Sequence, residues 1–216
     1  MYTPPSFAEA DLATLHAYVE AHPFATLVTA TDGEPFATHL PLVLDRSRGP
    51  FGALLGHLAR ANPHARQLLT GRAHRGLAIF SGPDAYVTPG WYPTKAEHGR
   101  VVPTWNYVAV HAAGVVTPHD DPEFLRPHLE ALTARHERDR GGSWRVTDAP
   151  EEFLAQQMRA IVGIEIAIER LDGKWKMSQN RSDADIRGVI DGLSASPSPS
   201  DHVVAGLVAA RRPTNR

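Results

Sequence analysis

Phe36-Ala37-Thr38-His39-Leu40-Pro41-Leu42-Val43-Leu44 alternates residue by residue. Phe36, Thr38, Leu40, Leu42 and Leu44 face one way; Ala37, His39, Pro41 and Val43 face the other. A period of two is the mark of a strand with one buried face. Ahead of it, Phe24 to Ala30 is a β-rich run, and Asp32-Gly33 is a hairpin turn pair. Behind it, Arg46 to Pro50 turns the chain into a third run, Phe51 to Leu58. Three strands joined by short turns form a meander, which favours antiparallel β over a βαβ sheet. Pro41 has no N–H to give a ladder, so it marks an edge, a bulge or a place where something else meets the backbone. His39 shares its face. It is either a surface histidine on an edge strand or a group beside a ligand lying along that strand.

The same reading extends in both directions. Ser6 and Glu9 fit a capping box for an opening helix, with Ala8, Leu12, Leu15 and Val19 on one face and Pro23 as its stop. Asn62 and Pro63 suit the N-cap and first position of a short helix. Leu77 to Phe80 and Ala85 to Thr88 read as two strands around Gly82-Pro83. Residues 89–103 form a long Pro- and Gly-rich loop; its Trp91, Tyr92 and Lys95 argue for a functional loop rather than disorder. Thr104 to Thr117 is a long strand with Trp105, Tyr107, Ala109, His111 and Ala113 on one face. Helices are expected over Asp121–Glu137 and Glu151–Gln157. Ile161 to Leu171 returns to strand, and Ser182 to about Gly192 is a helix. Ser194 to Ser200 has the composition of a flexible linker, followed by a tail helix from Asp201 to Arg212. The expectation is a mostly β, α+β domain over 1–193, a small antiparallel barrel with helical decorations, and a linker and tail over 194–216.

Bulk composition narrows the classes. The 216 residues suffice for a real hydrophobic core, and there is no cysteine, hence no disulfide framework and no thiolate chemistry. The N-terminus lacks a basic segment followed by an apolar one, and no apolar run approaches a membrane span, so a cytoplasmic location is expected. Lys plus Arg number 22 against 24 Asp plus Glu, a formal charge of −2. That balance argues against extensive direct contact with nucleic acid. The 12 histidines are scattered without metal-ligand spacing, so no metal is expected.

Three segments carry chemistry. Trp175-Lys176-Met177-Ser178-Gln179-Asn180-Arg181-Ser182 packs two cations, two amides and two hydroxyls behind a tryptophan. Ser182 with Asp183 and Asp185 reads as a helix start. Lys176 and Arg181 can also pair with a phosphate, and Gln179 and Asn180 can read ring carbonyls and nitrogens. Gly56-His57-Leu58-Ala59-Arg60-Ala61-Asn62-Pro63-His64 runs from strand into helix; Asn62 caps it, and Arg60 and His57 beside the helix start suit an anion. Val102-Pro103-Thr104-Trp105-Asn106-Tyr107 puts two aromatics on one face with Asn106 opposite, either sheet surface or the mouth of a pocket. No catalytic set can be named, although Tyr92, Lys95 and His111 can move protons if they reach a pocket.

Together these segments resemble one family. Tyr2-Thr3-Pro4-Pro5-Ser6-Phe7, Thr38-His39-Leu40-Pro41, the Gly56–Pro63 segment, Tyr86-Val87-Thr88-Pro89-Gly90-Trp91-Tyr92, Val102–Tyr107 and Lys176–Arg181 are similar, in order, to the PaiB-like transcriptional regulators. The resemblance implies an antiparallel split β-barrel of the pyridoxamine-phosphate-oxidase type, homodimeric, with FMN in a cleft at the subunit interface. It implies that His39, Leu40, Pro41 and Leu42 lie beside the flavin and that His57, Arg60 and Asn62 line its phosphate side. Trp105 and Asn106 would approach from the long strand, and Lys176, Gln179, Asn180 and Arg181 would close the site. The implied function is an FMN-binding negative regulator of transcription in bacteria, with DNA or another regulatory partner. A flavin-dependent oxidoreductase is the alternative, and haem binding a third reading.

Overall fold

The computed structural model describes residues 1–31, 33–71 and 74–213. The chain opens with a 3-10 turn over Pro5–Phe7, then a two-residue strand β1 (Ala8–Glu9) and helix α1 (Leu12–Ala21). The helix therefore begins beyond the expected Ser6 cap. Ala8 stands opposite Lys174 and Glu9 opposite Gly173, so sheet pairing satisfies the backbone where a first helical turn was expected. The Glu9 carboxylate accepts the Asp11 N–H at 2.8 Å.

Strands β2 (Phe24–Thr31) and β3 (Glu34–Pro41) pair antiparallel from Phe24↔Pro41 to Thr31↔Glu34. Of the expected turn pair, Gly33 has φ +89° and Asp32 lies outside the described residues. The run Phe36–Leu44 is not one strand. It breaks at Leu42, whose N–H donates to Pro23 O at 2.8 Å, and resumes as β4 (Val43–Asp45), which pairs with β5 (Ala53–Ala59). Pro41, with no N–H, stands at that break. The period-two alternation survives it: Leu40, Leu42 and Leu44 are buried, and His39 is exposed. Leu40 and Leu42 pack over Gly56, where an added Cβ would lie 2.7 Å from Leu42.

Helix α2 (Pro63–Leu68) carries its expected Asn62 cap. Strand β6 (His74–Val87) passes straight through Gly82-Pro83, where two strands were expected. Helix α3 (Thr94–His98) follows, then β7 (Thr104–His119), α4 (Pro122–Asp139) capped by Asp121, and α5 (Glu151–Arg159). Strand β8 (Ile161–Lys176) and helices α6 (Asp183–Ser194) and α7 (Pro199–Ala210) complete the chain. The sheet order is β3-β2-β6-β7-β8-β5-β4, with β1 on β8. It is an open antiparallel sheet with helices, and β3 ends the order as its edge. Among the described residues no helix is long and apolar enough to cross a membrane.

The chain forms two compact units, and β6, β7 and β8 contribute residues to both. Unit 1 comprises Met1–Asp11, Ser81–Val110 and Asp172–Arg216; unit 2 comprises Leu12–Phe80 and His111–Leu171. In unit 2 the core includes Leu27, Leu54, Phe80, Ile164 and Ile166. In unit 1 it includes Val87, Met177, Ile186, Leu193, Val204 and Val208. The last two belong to α7, so the expected tail is part of unit 1. Only residues 195–198 separate α6 from α7, and Ser196 ties them by donating to Asp201 at 2.5 Å and accepting from His202 at 2.7 Å. Arg211 closes the arrangement, pairing with Glu9 at 2.6 Å and lying 5.0 Å over the Trp175 ring.

One glycine is fixed by close approach within unit 2. A Cβ on Gly114 would run into the Ala167 carbonyl oxygen on the neighbouring strand, which is backbone and cannot turn aside. Gly114→Ala is expected to destabilise the fold by about 1–3 kcal/mol, the range for overpacking, read as a lower denaturation midpoint at unchanged slope.

Candidate functional site

In unit 1, the chain leaves β8 at Lys176 and enters α6 at Asp183 through a loop held tightly at every residue but one. Ser178 has φ +62°, a left-handed conformation that costs a non-glycine residue energy. Its hydroxyl is fastened to Asn106, whose side chain is fully buried: Asn106 Nδ2 lies 3.0 Å from Ser178 Oγ, and Oδ1 lies 3.2 Å from it. Gln179 folds back on the loop, accepting the Met177 N–H at 2.7 Å and donating to Trp175 O at 2.6 Å. The Arg181 N–H donates to Ser178 O at 2.9 Å, and Ser182 caps α6 by accepting the Asp185 N–H. Asn106 and Gln179 thus hold the loop in shape, while Asn180 is exposed.

What the loop holds up is positive charge. Lys176 Nζ donates to Thr104 Oγ1 and, at 2.6 Å, to Trp105 O. The Arg181 guanidinium lies 4.9 Å over the Tyr92 ring. Lys174 Nζ sits 5.1 Å over Tyr107 and donates to Tyr2 O at 3.2 Å. Among the described residues none of these three cations has a carboxylate partner. The Lys176 pKa is pulled below its ordinary value by burial first, then by Lys174 and by Arg181. Beside them Trp105 is half exposed and meets the exposed Tyr86 edge-on, ring centres 5.8 Å apart.

The long 89–103 loop docks on α6 in the same unit. Asp185, buried, accepts from both the N–H and the hydroxyl of Thr94 at 2.9–3.2 Å. Trp91 lies against Gly188 and Gly192, where no Cβ would fit. Sequence reasoning gave Asp185 only a helix-start role and passed over both glycines. Their spacing of four on one helix face was the available signal.

The remaining expected site residues belong to unit 2. His39 Nδ1 is 2.9 Å from Thr26 Oγ1, with Phe24 stacked at 6.4 Å; Leu40 and Leu42 are core, and Pro41 stands opposite Phe24. Asn62 accepts the His64 N–H at 2.9 Å and donates to Thr38 at 3.3 Å. Fully buried His64, not singled out from sequence, bridges the Thr29 and Thr38 hydroxyls at 2.8 and 2.9 Å. Arg60 is already engaged: Nε donates to Arg159 O at 2.8 Å, Nη2 to Ile161 O at 3.0 Å, and the fork grips Asp120. His57 Nδ1 faces His128 Nε2 at 3.0 Å.

Comparison with known proteins gives the family and the fold. Residues 1–170 match the family model described as "Putative FMN-binding domain". The chain belongs to this FMN-binding family. A protein of Emericella nidulans is 34% identical over 244 residues, covering 98% of this chain and 97% of its own. Protease synthase and sporulation protein PAI 2 of Bacillus subtilis is 31% identical over 208 residues, 96% of either chain. Among solved structures, the FAD and heme binding protein of Mycobacterium smegmatis superposes with TM-score 0.57 at 19% identity, covering 83% of this chain and 78% of that one. Rv2991 of Mycobacterium tuberculosis gives 0.57 at 16%, covering 84% and 94%. These likenesses show the fold, an antiparallel split barrel.

The donor set of unit 1 fits FMN. A phosphate dianion needs cations that are not already neutralised, and a flavin ring needs an aromatic or amide face. Lys176 and Arg181 meet the first requirement; Trp105 and Asn180, both exposed, meet the second.

The imidazole pair of unit 2 makes a separate pH prediction. Burial lowers the His57 pKa, and burial followed by the His57 charge lowers that of His128 to about 4. Their facing nitrogens hold one proton between them; a second would set two N–H groups head to head. A folded pKa below the unfolded value of about 6.5 gives stability that is present above that pH and lost as pH falls toward 4. Between pH 7 and 4.5 wild type should lose roughly 2–3 kcal/mol more than His128→Leu, measured by denaturant melts at both pH values.

Proposed function

We propose that this protein is an FMN-binding negative regulator of transcription, with the flavin phosphate held by Lys176 and Arg181 and the ring against Trp105. The observation that carries the reading is the pair of carboxylate-free cations beside an exposed indole in unit 1. Asn180, which is exposed, is the residue assigned to the ring heteroatoms in this reading, and Lys174 adds to the local field. FMN, when bound, supplies electron and hydride exchange; the protein's residues bind and orient it. The regulatory part is supported by likeness along nearly the whole chain to the Bacillus subtilis protein, whose name ties it to protease synthesis and sporulation.

The reading includes a second copy of the chain. On the outer face of β2–β3 the cross-strand pairs are Phe24 with Pro41, Thr26 with His39, Val28 with Ala37 and Ala30 with Pro35. None carries an acid, lysine or arginine, and Phe24 is 68% exposed. An uncharged face at an open sheet edge suits burial against its own copy.

A flavin-dependent reductase is the second reading. Most arginines with defined partners are paired to carboxylates: Arg46, Arg48, Arg60, Arg75, Arg126, Arg187, Arg211 and Arg212. Each of these pairs withdraws a cation from a DNA backbone, and the formal charge is −2, which favours catalysis or regulation through a protein partner.

Four measurements separate these outcomes. Arg181→Ala should weaken FMN binding by about 1.5–3 kcal/mol, the range for a hydrogen bond to a charged group, in a visible-absorbance or calorimetric titration; unchanged affinity would remove Arg181 from the site. A salt-dependent gel shift of promoter DNA supports direct regulation, whereas bleaching of bound flavin by NADH or NADPH supports the reductase. Phe24→Lys should halve the sedimenting mass if β2–β3 is the face between copies.

A further inference from the structure

Arg181 does not stand alone: a buried tyrosine lies under it. Tyr92 is 2% exposed, and the Arg181 guanidinium sits 4.9 Å over its ring, close enough to the phenol to oppose the rise of its pKa. A long side chain on a loop samples many rotamers, and a flat aromatic face beneath the guanidinium favours one orientation. The ring is itself immobilised. It follows Trp91, whose indole lies on Gly192 and whose carbonyl abuts Gly188, and it precedes Thr94, which Asp185 holds through both N–H and hydroxyl. The segment 89–94 is thus clamped to α6 on both sides of Tyr92. Burial raises the Tyr92 pKa, with Arg181 opposing, so the phenol stays neutral and the face stays available to a cation.

We infer that Tyr92 is a positioning residue that aims Arg181, and that the clamped 89–94 segment makes the site choose a phosphorylated flavin over its dephosphorylated form. The inference rests on the proposed phosphate role of Arg181. It goes beyond that role in assigning selectivity to a residue that need not touch the phosphate. Lys176, held by Thr104 and Trp105, does not depend on Tyr92. Loss of Tyr92 should therefore weaken the phosphate preference without abolishing it.

The test compares FMN with riboflavin, which differ only in the phosphate, on wild type, Tyr92→Leu, Tyr92→Phe, Arg181→Ala and the double variant Tyr92→Leu/Arg181→Ala. Tyr92→Leu should lower the FMN-to-riboflavin affinity ratio by roughly two- to thirty-fold, as for a cation–π contact of about 0.5–2 kcal/mol, with riboflavin affinity unchanged. Tyr92→Phe, which keeps the ring, should retain the ratio. In the Arg181→Ala background Tyr92→Leu should have no further effect on it. A fall in both affinities alike, or an undiminished effect in the Arg181→Ala background, would make Tyr92 merely structural and overturn the inference. If Arg181→Ala leaves the ratio untouched, the phosphate reading itself fails and the inference falls with it. If Arg181→Ala lowers the ratio and Tyr92→Leu does not, only the inference fails. Should Tyr92→Leu not fold, Thr94→Ala loosens the same clamp and is expected to lower the ratio in the same direction; an unchanged ratio there overturns the inference.

Discussion

The site of unit 1 depends on holding like charges together at the junction of β8 and α6. Lys174, Lys176 and Arg181 repel one another, and Lys176 is partly withdrawn from water as well. Left to itself, a six-residue loop would relieve this by swinging the cations outward. It is prevented by bonds that carry no charge: the Asn106–Ser178 pair below, the two Gln179 staples along the loop and the Ser182 cap at its end. The strained φ of Ser178 belongs to the same arrangement, because its hydroxyl reaches Asn106 from that conformation. Asn106 and Gln179 form the frame that keeps the cations in place. Uncompensated cations held by neutral bonds are what an anion site requires before its ligand arrives.

Unit 2 uses its polar side chains differently. His64 is fully buried, yet both ring nitrogens meet threonine hydroxyls, which removes the cost of a buried polar group and ties α2 to the β2–β3 hairpin. Arg60 bridges Asp120 and two carbonyls around the start of β8. These are neutralised or satisfied groups, and they stabilise the fold in the way that Lys176 and Arg181, by their lack of acids, do not.

Local patterns made much of this legible in the sequence. Alternation located β3, β7 and the buried face of β8, and β-rich runs between turns located β2 and β5. The caps Asn62, Asp121 and Ser182 stand where side-chain chemistry demanded. The failures have one cause, pairing between distant residues. Ala8-Glu9 has helical spacing but is claimed by Lys174 and Gly173. Gly82-Pro83 looks like a break but lies inside one strand. The serine-proline run looks flexible, but the helix after it buries Val204 and Val208. Distant pairing also sets the surroundings of the expected site residues. Arg60 meets Asp120 60 positions on, His57 meets His128 71 on, and Thr94 meets Asp185 91 on. No window of sequence shows whether a cation already has its anion.

That distinction decides how the two arginines can act. To take a phosphate, Arg60 must first release a bidentate carboxylate and two carbonyl bonds, so any gain is offset by what is broken. Arg181 has no carboxylate to release among the described residues, and it can keep its place over the Tyr92 ring while its N–H groups turn to a ligand. Lys176 gives three hydrogens and has two acceptors, leaving one free without any rearrangement. At the proposed site a phosphate meeting Lys176 and Arg181 would also relieve the repulsion among the three cations. The same argument gives the attraction a short range: at physiological salt exposed charges are screened within about 8 Å. Recognition at the proposed site would therefore rest on contact with these few donors rather than on the field of a chain whose net charge is −2.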